Sequence, residues 1–63
     1  MKSDSLVKVT REEASSIIES EMPLGLFWLE DNGIYVAIDN STGDAWTEDF
    51  SSKEECFKYL LNY

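Results

Sequence analysis

Histidine is absent from the chain, and cysteine and proline occur once each. Zinc fingers need sets of cysteines and histidines, so Cys56 alone excludes both the Cys₄ and the Cys₂His₂ type. A single cysteine also excludes a disulfide within one chain, and a lone thiol is typical of a reducing compartment. Without histidine, the commonest general base is missing. The 63 residues allow one small domain, so its stability must come from an aromatic core or from a partner.

Long apolar runs and positive charges are also scarce. The longest apolar run, residues 24–29, is far too short to span a bilayer, and the N-terminal sequence MKSDSL lacks the apolar core of a secretory signal. Five Lys and Arg oppose thirteen Asp and Glu, which gives a net charge of −8. This charge disfavours direct binding to nucleic acid or to anionic membranes. We therefore expect a cytoplasmic protein whose charge either attracts a basic partner or serves solubility alone.

Two capping boxes predict the helices. The sequence TREE at residues 10–13 precedes apolar residues at helical spacing, and Pro23 ends this element, so the first helix covers about residues 11–21. The sequence SKEE at residues 52–55 precedes a second apolar stripe, which predicts a helix over 53–62.

Apolar runs and two turn signals predict three strands between these helices: residues 24–29, 34–38 and 45–50. The turns are the Asn-Gly pair at 32–33 and the sequence NSTG at 40–43. We therefore expect an α+β fold in which residues 1–63 form a single domain in the order α-β-β-β-α. In this fold a three-stranded antiparallel meander packs with two helices. Residues 1–6 are expected to be a loose N-terminus, although residues 6–9 are a further candidate strand.

The register of each hairpin decides which side chains share a face of the sheet. In the first hairpin a two-residue turn would pair Phe27 with Ile38, whereas a three-residue turn would pair Leu26 with Ile38. In the second hairpin a three-residue loop would set Trp46 opposite Ile38 and place Phe50 on the same aliphatic face. A two-residue turn would move both aromatic residues to the other face. We prefer the three-residue loop, because it buries more apolar surface against the helices.

The first strand is apolar on both faces, although a strand with one face in solvent would alternate with polar residues. In a simple three-stranded meander this strand also lies at the sheet edge. Residues 24–29 contain no lysine and no proline, which are the residues that commonly prevent an edge strand from pairing with another chain. We therefore predict a homodimer in which this strand lies in the interface. The predicted interface residues are Leu26, Phe27, Trp28, Leu29 and Tyr35.

The stretch DNSTGDAWTEDF, which begins at Asp39, combines four carboxylates with two aromatic residues. An EF-hand loop starting there fails, because its required positions hold Gly43, Asp44 and Phe50 instead of an oxygen ligand, glycine and glutamate. A weak divalent site formed by Asp39 and Asp44 is an alternative. The simpler interpretation is that Asp39, Asn40 and Asp44 serve the turn and stay solvated.

No catalytic set is recognisable in the chain. Cys56 lies on the apolar stripe of the last helix, which is typical of a buried structural thiol. Glu48 and Asp49 are adjacent on a strand, so they point to opposite faces and cannot act as a carboxylate pair. No glycine-rich phosphate loop occurs. We therefore predict a protein that is not an enzyme and has no cofactor or metal site.

The remaining candidate is an acidic surface around the aromatic residues of the sheet. Aromatic side chains are typical interface hot spots, and a surrounding ring of carboxylates would select a basic partner. For Trp46 alone we favour a place in the core. The predicted acidic recognition surface consists of Glu30, Asp31, Asp39, Asp44, Glu48 and Asp49.

In its compactness, acidity and tryptophan content the chain resembles small accessory proteins of phages and prophages. Some of these inhibit host nucleases or defence systems by presenting carboxylates where DNA would bind, so the resemblance implies an inhibitor of a nucleic-acid-binding protein. The resemblance rests on these overall properties of the whole chain and on no specific motif, so no functional residue is carried over. The sequence thus predicts a non-enzymatic acidic module that binds a basic protein. The alternative is a self-associating structural protein with no dedicated target.

Overall fold

The computed structural model describes residues 6–61 of the chain. Two helices and four strands follow one another in the order β1 (Leu6–Lys8), α1 (Arg11–Ser20), β2 (Gly25–Asp31), β3 (Ile34–Asn40), β4 (Trp46–Phe50) and α2 (Lys53–Leu61). The strands form one sheet in the order β1-β2-β3-β4, in which β1 is parallel to β2 and the other neighbours are antiparallel. The α+β class is confirmed. The three-stranded antiparallel meander is wrong, because β1 adds a fourth, parallel strand beside β2.

Local signals set the ends of both helices. At the start of α1, Thr10 Oγ1 accepts the Glu13 N–H at 3.1 Å and Glu13 Oε1 accepts the Thr10 N–H at 2.8 Å, which is the predicted capping box. The helix ends at Ser20, one residue earlier than expected, because Glu21 adopts a left-handed conformation with φ 60°. At the start of α2, Ser52 Oγ accepts the N–H of residue 55 at 3.2 Å. The predicted end of this helix at residue 62 lies outside the described residues. So do residues 1–5 of the predicted loose N-terminus, whereas Leu6 already belongs to β1.

The first hairpin has the two-residue turn. Asn32 and Gly33 both have positive φ, at 54° and 81°, as a type I′ turn requires. Phe27 therefore pairs with Ile38, and Trp28 pairs with Ala37 on the other face. Of the two registers left open above, this one holds.

The second hairpin has the register that we did not prefer. Asp39 pairs with Trp46 and Tyr35 pairs with Phe50, so both aromatic side chains lie on the face opposite Ile38. The preferred register would bury apolar surface on one face of the sheet, but helices cover both faces, so Trp46 and Phe50 can lie on the face opposite Ile38.

The two helices cover opposite faces of the sheet. On the α1 face, α1 packs on a cluster that consists of Ala14, Ile17, Phe27, Leu29 and Ile38. On the α2 face, α2 packs on a second cluster that consists of Trp28, Ala37, Cys56 and Leu60. This arrangement explains why the sequence of β2 is apolar on both faces.

The predicted interface strand is mostly interior. Phe27, Trp28 and Leu29 are only 6–8% exposed within one chain, and β2 lies between β1 and β3 instead of at the sheet edge. Leu26 and Tyr35 are half-buried. The premise that large side chains of this strand remain uncovered is therefore wrong, and these residues offer a partner little surface.

Candidate protein-binding edge

An exposed tryptophan lies between two carboxylates on the outermost strand. Because Asp39 pairs with Trp46 and Ala37 pairs with Glu48, the side chains of Asp39, Trp46 and Glu48 all project on the α2 face. Tyr59 of α2 completes the group, since the charges of Asp39 and Glu48 act on its hydroxyl. We refer to Asp39, Trp46, Glu48 and Tyr59 as the Trp46 cluster.

Trp46 differs sharply from the other tryptophan of the chain. Its side chain is 62% exposed, whereas Trp28 is 8% exposed. Helix α2 covers the far end of β4, where the rings of Phe50 and Tyr59 are 5.4 Å apart, but leaves Trp46 open. The expectation that Trp46 lies in the core is therefore wrong.

Trp28 holds the central position on the α2 face instead. The edge of the Phe57 ring lies 5.0 Å from Trp28, and Tyr35 stacks at 6.4 Å. The ammonium groups of Lys8 and Lys53 lie 5.3 Å and 5.2 Å from its ring centroid. Two of the chain's five positive residues are thus placed at an almost buried ring.

Three of the four residues of the Trp46 cluster, all except Tyr59, lie in a part of the chain that has no positive side chain. Residues 12–52 contain ten carboxylates and neither lysine nor arginine. Burial, followed by the charges of Asp39 and Glu48, raises the pKa of the Tyr59 hydroxyl. A raised pKa keeps this phenol neutral well above neutral pH, so it remains able to donate a hydrogen bond beside the carboxylates.

The predicted acidic surface is divided between the two faces of the sheet. Glu30, Asp39 and Glu48 project on the α2 face, whereas Asp31 and Asp49 project on the α1 face. The Asp31 carboxylate forms an ion pair with Arg11. The sixth residue, Asp44, lies in the loop between β3 and β4. The six carboxylates therefore do not form one continuous surface, but Glu48 and Asp49 flank β4 from both sides.

The loop that joins β3 to β4 is organised by its own polar side chains. Asp39 Oδ1 accepts the Ser41 N–H at 3.1 Å and the Ser41 hydroxyl at 2.7 Å, and Asp44 Oδ2 accepts the Thr42 hydroxyl at 3.0 Å. These bonds agree with the interpretation that Asp39 and Asp44 serve the turn. In residues 6–61 no three acidic, cysteine or histidine side chains lie close enough to hold a metal ion.

Asn40 was expected to be solvated, but it is fully buried. Its Nδ2 donates to the carbonyl oxygen of Pro23 at 2.7 Å, and its Oδ1 accepts the N–H of Ala45 at 3.0 Å. The side chain therefore ties the loop before Trp46 to the segment before β2. Sequence reasoning missed this role, because an asparagine beside a glycine-containing loop is also the usual signal of an exposed turn.

Cys56 is buried, as predicted. It lies on the α2 face in the cluster with Trp28, and burial raises the pKa of its thiol. Because the thiolate is the nucleophilic form, a raised pKa lowers the reactivity of the sulfur.

The chain matches no family model, no curated protein and no solved structure in the comparisons with known proteins. Neither helix within residues 6–61 is long and apolar enough to cross a membrane. A function must therefore be argued from the geometry of the chain itself.

Proposed function

We propose that the protein is a non-enzymatic binding module that recognises a basic protein through the Trp46 cluster and the neighbouring carboxylate of Asp49. The observation that carries this proposal is a tryptophan, 62% exposed, set between Asp39 and Glu48 in a stretch of sequence, residues 12–52, that has no lysine or arginine. Tryptophan is among the commonest hot-spot residues of protein interfaces.

The chemistry of the Trp46 cluster selects its partner. An indole surrounded by carboxylates can hold the guanidinium of an arginine against the ring face while the carboxylates accept its N–H groups. Carboxylates at the rim also repel acidic competitors and attract basic ones before contact, so they raise the association rate. A basic surface that binds nucleic acid has this chemistry. We therefore propose that the module inhibits or modulates a nucleic-acid-binding protein, as the resemblance to phage accessory proteins also implies.

The first prediction concerns the contributions of Trp46 and Glu48. Titration of the unaltered protein with an arginine-rich peptide at low salt should change the emission of Trp46, which is the exposed tryptophan. The affinities of the variants are measured by the anisotropy of a fluorescent label on the same peptide. Trp46→Ala should weaken binding by at least about 30-fold, the loss expected for a hot spot. Glu48→Lys should weaken it by about tenfold and reduce its dependence on salt.

The matched control for this titration is Glu19→Lys. Glu19 is exposed on α1, and its replacement changes the net charge by the same amount as Glu48→Lys. We expect Glu19→Lys to have much the smaller effect on affinity. If the two variants lose the same affinity, only net charge is recognised and the proposed location is wrong.

Self-association is a second candidate function, and a specific observation favours it. Val7 of β1 is 48% exposed, and Met22 and Leu24, just before β2, are each 61% exposed. A cleft of about 300 Å³ opens beside them, and Val9, Met22 and Pro23 are among its lining residues. These apolar groups belong to β1 and to the segment before β2, so a second copy could bury them without covering β4.

The second prediction tests this association by analytical ultracentrifugation over a range of salt concentrations. A dimer should tighten as added salt screens the repulsion between two acidic chains. Met22→Glu should dissociate it and leave the fold intact. Phe27→Glu and Trp28→Glu should instead unfold the chain, because both side chains are buried. A folded monomer at every salt and at high concentration would eliminate the self-associating function.

A further inference from the structure

We infer that the outer edge of β4 binds an extended basic segment by strand addition, so that the partner becomes a fifth strand of the sheet. The inference rests on the proposed function and specifies how the basic partner docks. Strand addition obtains affinity from main-chain hydrogen bonds and specificity from alternate side chains.

The outer edge of β4 has no partner strand within residues 6–61. β4 is last in the strand order and pairs only with β3. The five residues Trp46–Phe50 are long enough for a short strand to pair with them. An uncovered edge of this kind presents a row of N–H and C=O groups.

The hairpin register shows which backbone groups face outward. The two-residue turn makes Asp31 and Ile34 a hydrogen-bonded pair, so every second residue of β3 from Ile34 onward points its backbone N–H and C=O groups toward β2. The residues between them, including Ala37, point these backbone groups toward β4. Glu48 pairs with Ala37 and therefore turns its N–H and C=O inward to β3. By the same alternation, the backbone N–H and C=O groups of Trp28 must point toward β1. The carbonyl oxygen of Trp28 does accept the Val9 N–H at 2.9 Å.

It follows that Thr47 and Asp49 direct their N–H and C=O groups outward. A strand that docks beside β4 would pair its backbone with these two residues. Their side chains project on the α1 face, and those of Trp46 and Glu48 project on the α2 face. The edge thus offers backbone partners in its plane, one carboxylate on each face, and an indole at one end.

Charge complementarity selects a basic segment over a second copy of this chain. Natural edge strands often carry charged residues that prevent pairing with an identical edge. Glu48 and Asp49 have this effect on β4, because two such edges would set carboxylates close to carboxylates. A strand with lysine or arginine at the facing positions meets the opposite charge on both faces.

The spacing on β4 also defines the pattern of side chains in the ligand. Glu48 and Asp49 lie on opposite faces, so a strand that matches both carries two consecutive basic residues. In an antiparallel arrangement, Trp46 meets the side chain two positions beyond the second basic residue. An arginine there would lie against the indole. The expected pattern is two basic residues, any residue, and then arginine.

The third prediction uses a peptide of about eight residues whose only charged side chains are the basic residues of this pattern. An example is Lys-Lys-Thr-Arg flanked by valine and threonine. Binding should slow hydrogen exchange of the Thr47 and Asp49 amides, which point away from β3 and have no partner strand among residues 6–61, and leave exchange of the Glu48 amide nearly unchanged. Methylation of the peptide nitrogens that face β4 should weaken binding at least about tenfold, since those N–H groups are the donors. Methylation of the alternate nitrogens should have little effect.

A variant of the protein provides the complementary test. Thr47→Pro removes an outward N–H and no hydrogen bond to β3, and proline is tolerated on an edge strand in this orientation. We expect it to fold and to bind the peptide at least about tenfold more weakly, with Thr47→Val as the matched control. If Thr47→Pro fails to fold, the exchange and methylation experiments on the unaltered protein decide the question.

The outcomes separate this inference from the proposed function. Suppose that both methylated peptides bind like the parent, the Thr47 and Asp49 amides stay unprotected, and Glu48→Lys still weakens binding. The basic partner is then recognised by side chains alone, and strand addition is overturned. If the parent peptide does not bind even at low salt, the proposed function fails together with the inference.

Discussion

Ile38→Ala is expected to lower the free energy of unfolding by about 2–5 kcal/mol, the usual cost of truncating a fully buried isoleucine. Ile38 is 0% exposed and lies in the interior strand β3, in the cluster under α1. Typical stabilities of about 0.05–0.15 kcal/mol per residue give a domain of this size roughly 3–9 kcal/mol in total. One truncation therefore removes a large share of the stability, and the variant should be partly or wholly unfolded at physiological temperature.

Urea denaturation followed by far-ultraviolet circular dichroism measures this loss, and the chain supplies a matched control. Ile18 is 44% exposed on α1, so Ile18→Ala deletes the same atoms without leaving a cavity. It should change stability by no more than about 0.5 kcal/mol. Equal losses for the two variants would mean that β3 is not the centre of the core.

The features that were predictable from sequence depend on short-range chemistry. A threonine hydroxyl three residues before a glutamate forms a capping box wherever a helix can follow, and an Asn-Gly pair supplies the two positive φ angles of a type I′ turn. Thr10 and Ser52 therefore predicted the starts of both helices correctly. The pair Asn32-Gly33 predicted the turn of the first hairpin but left its register open between two alternatives, of which the structure has the one with the two-residue turn.

The position of β1 depends on pairing between distant parts of the chain. Leu6–Lys8 has three residues and pairs with β2 across the whole of α1. Nothing within so short a segment distinguishes a parallel partner strand from a loose terminus. Its placement nevertheless moves β2 from the edge to the interior, and that change removed the basis of the predicted interface.

The candidate site depended on a second non-local feature. Its acidic character was visible in the sequence, but the exposure of Trp46 follows from the register of β4. That register accompanies a loop of residues 41–45 in which Gly43 and Ala45 both have positive φ, at 89° and 51°. Turn types are predicted from the number and type of residues in the loop alone. Such a prediction does not include the hydrogen bond from the Ala45 N–H to the buried side chain of Asn40, which lies outside the loop.

Asn40→Ala is expected to cost about 3 kcal/mol or more and to weaken binding at the Trp46 cluster. The substitution leaves two buried or partly buried groups without partners, the Pro23 carbonyl and the Ala45 N–H, and each unsatisfied group costs about 1–3 kcal/mol. Because Ala45 immediately precedes Trp46, loosening this loop also changes how the indole is presented. Thr42→Ala, at an exposed position of the same loop, should cost far less.

Asn40→Asp distinguishes the hydrogen bonds from simple packing. The introduced carboxylate keeps an acceptor for the Ala45 N–H but sets a negatively charged oxygen against the Pro23 carbonyl. Protonation would restore a donor there, so the folded state should favour the protonated carboxyl and raise its pKa above the unfolded value. The stability that this raised pKa contributes is present at low pH and is lost as pH rises. The deficit of Asn40→Asp relative to the unaltered protein should therefore shrink as the pH is lowered from about 7 to about 4 in urea titrations. A deficit that does not change with pH would show that Asn40 contributes only through its shape.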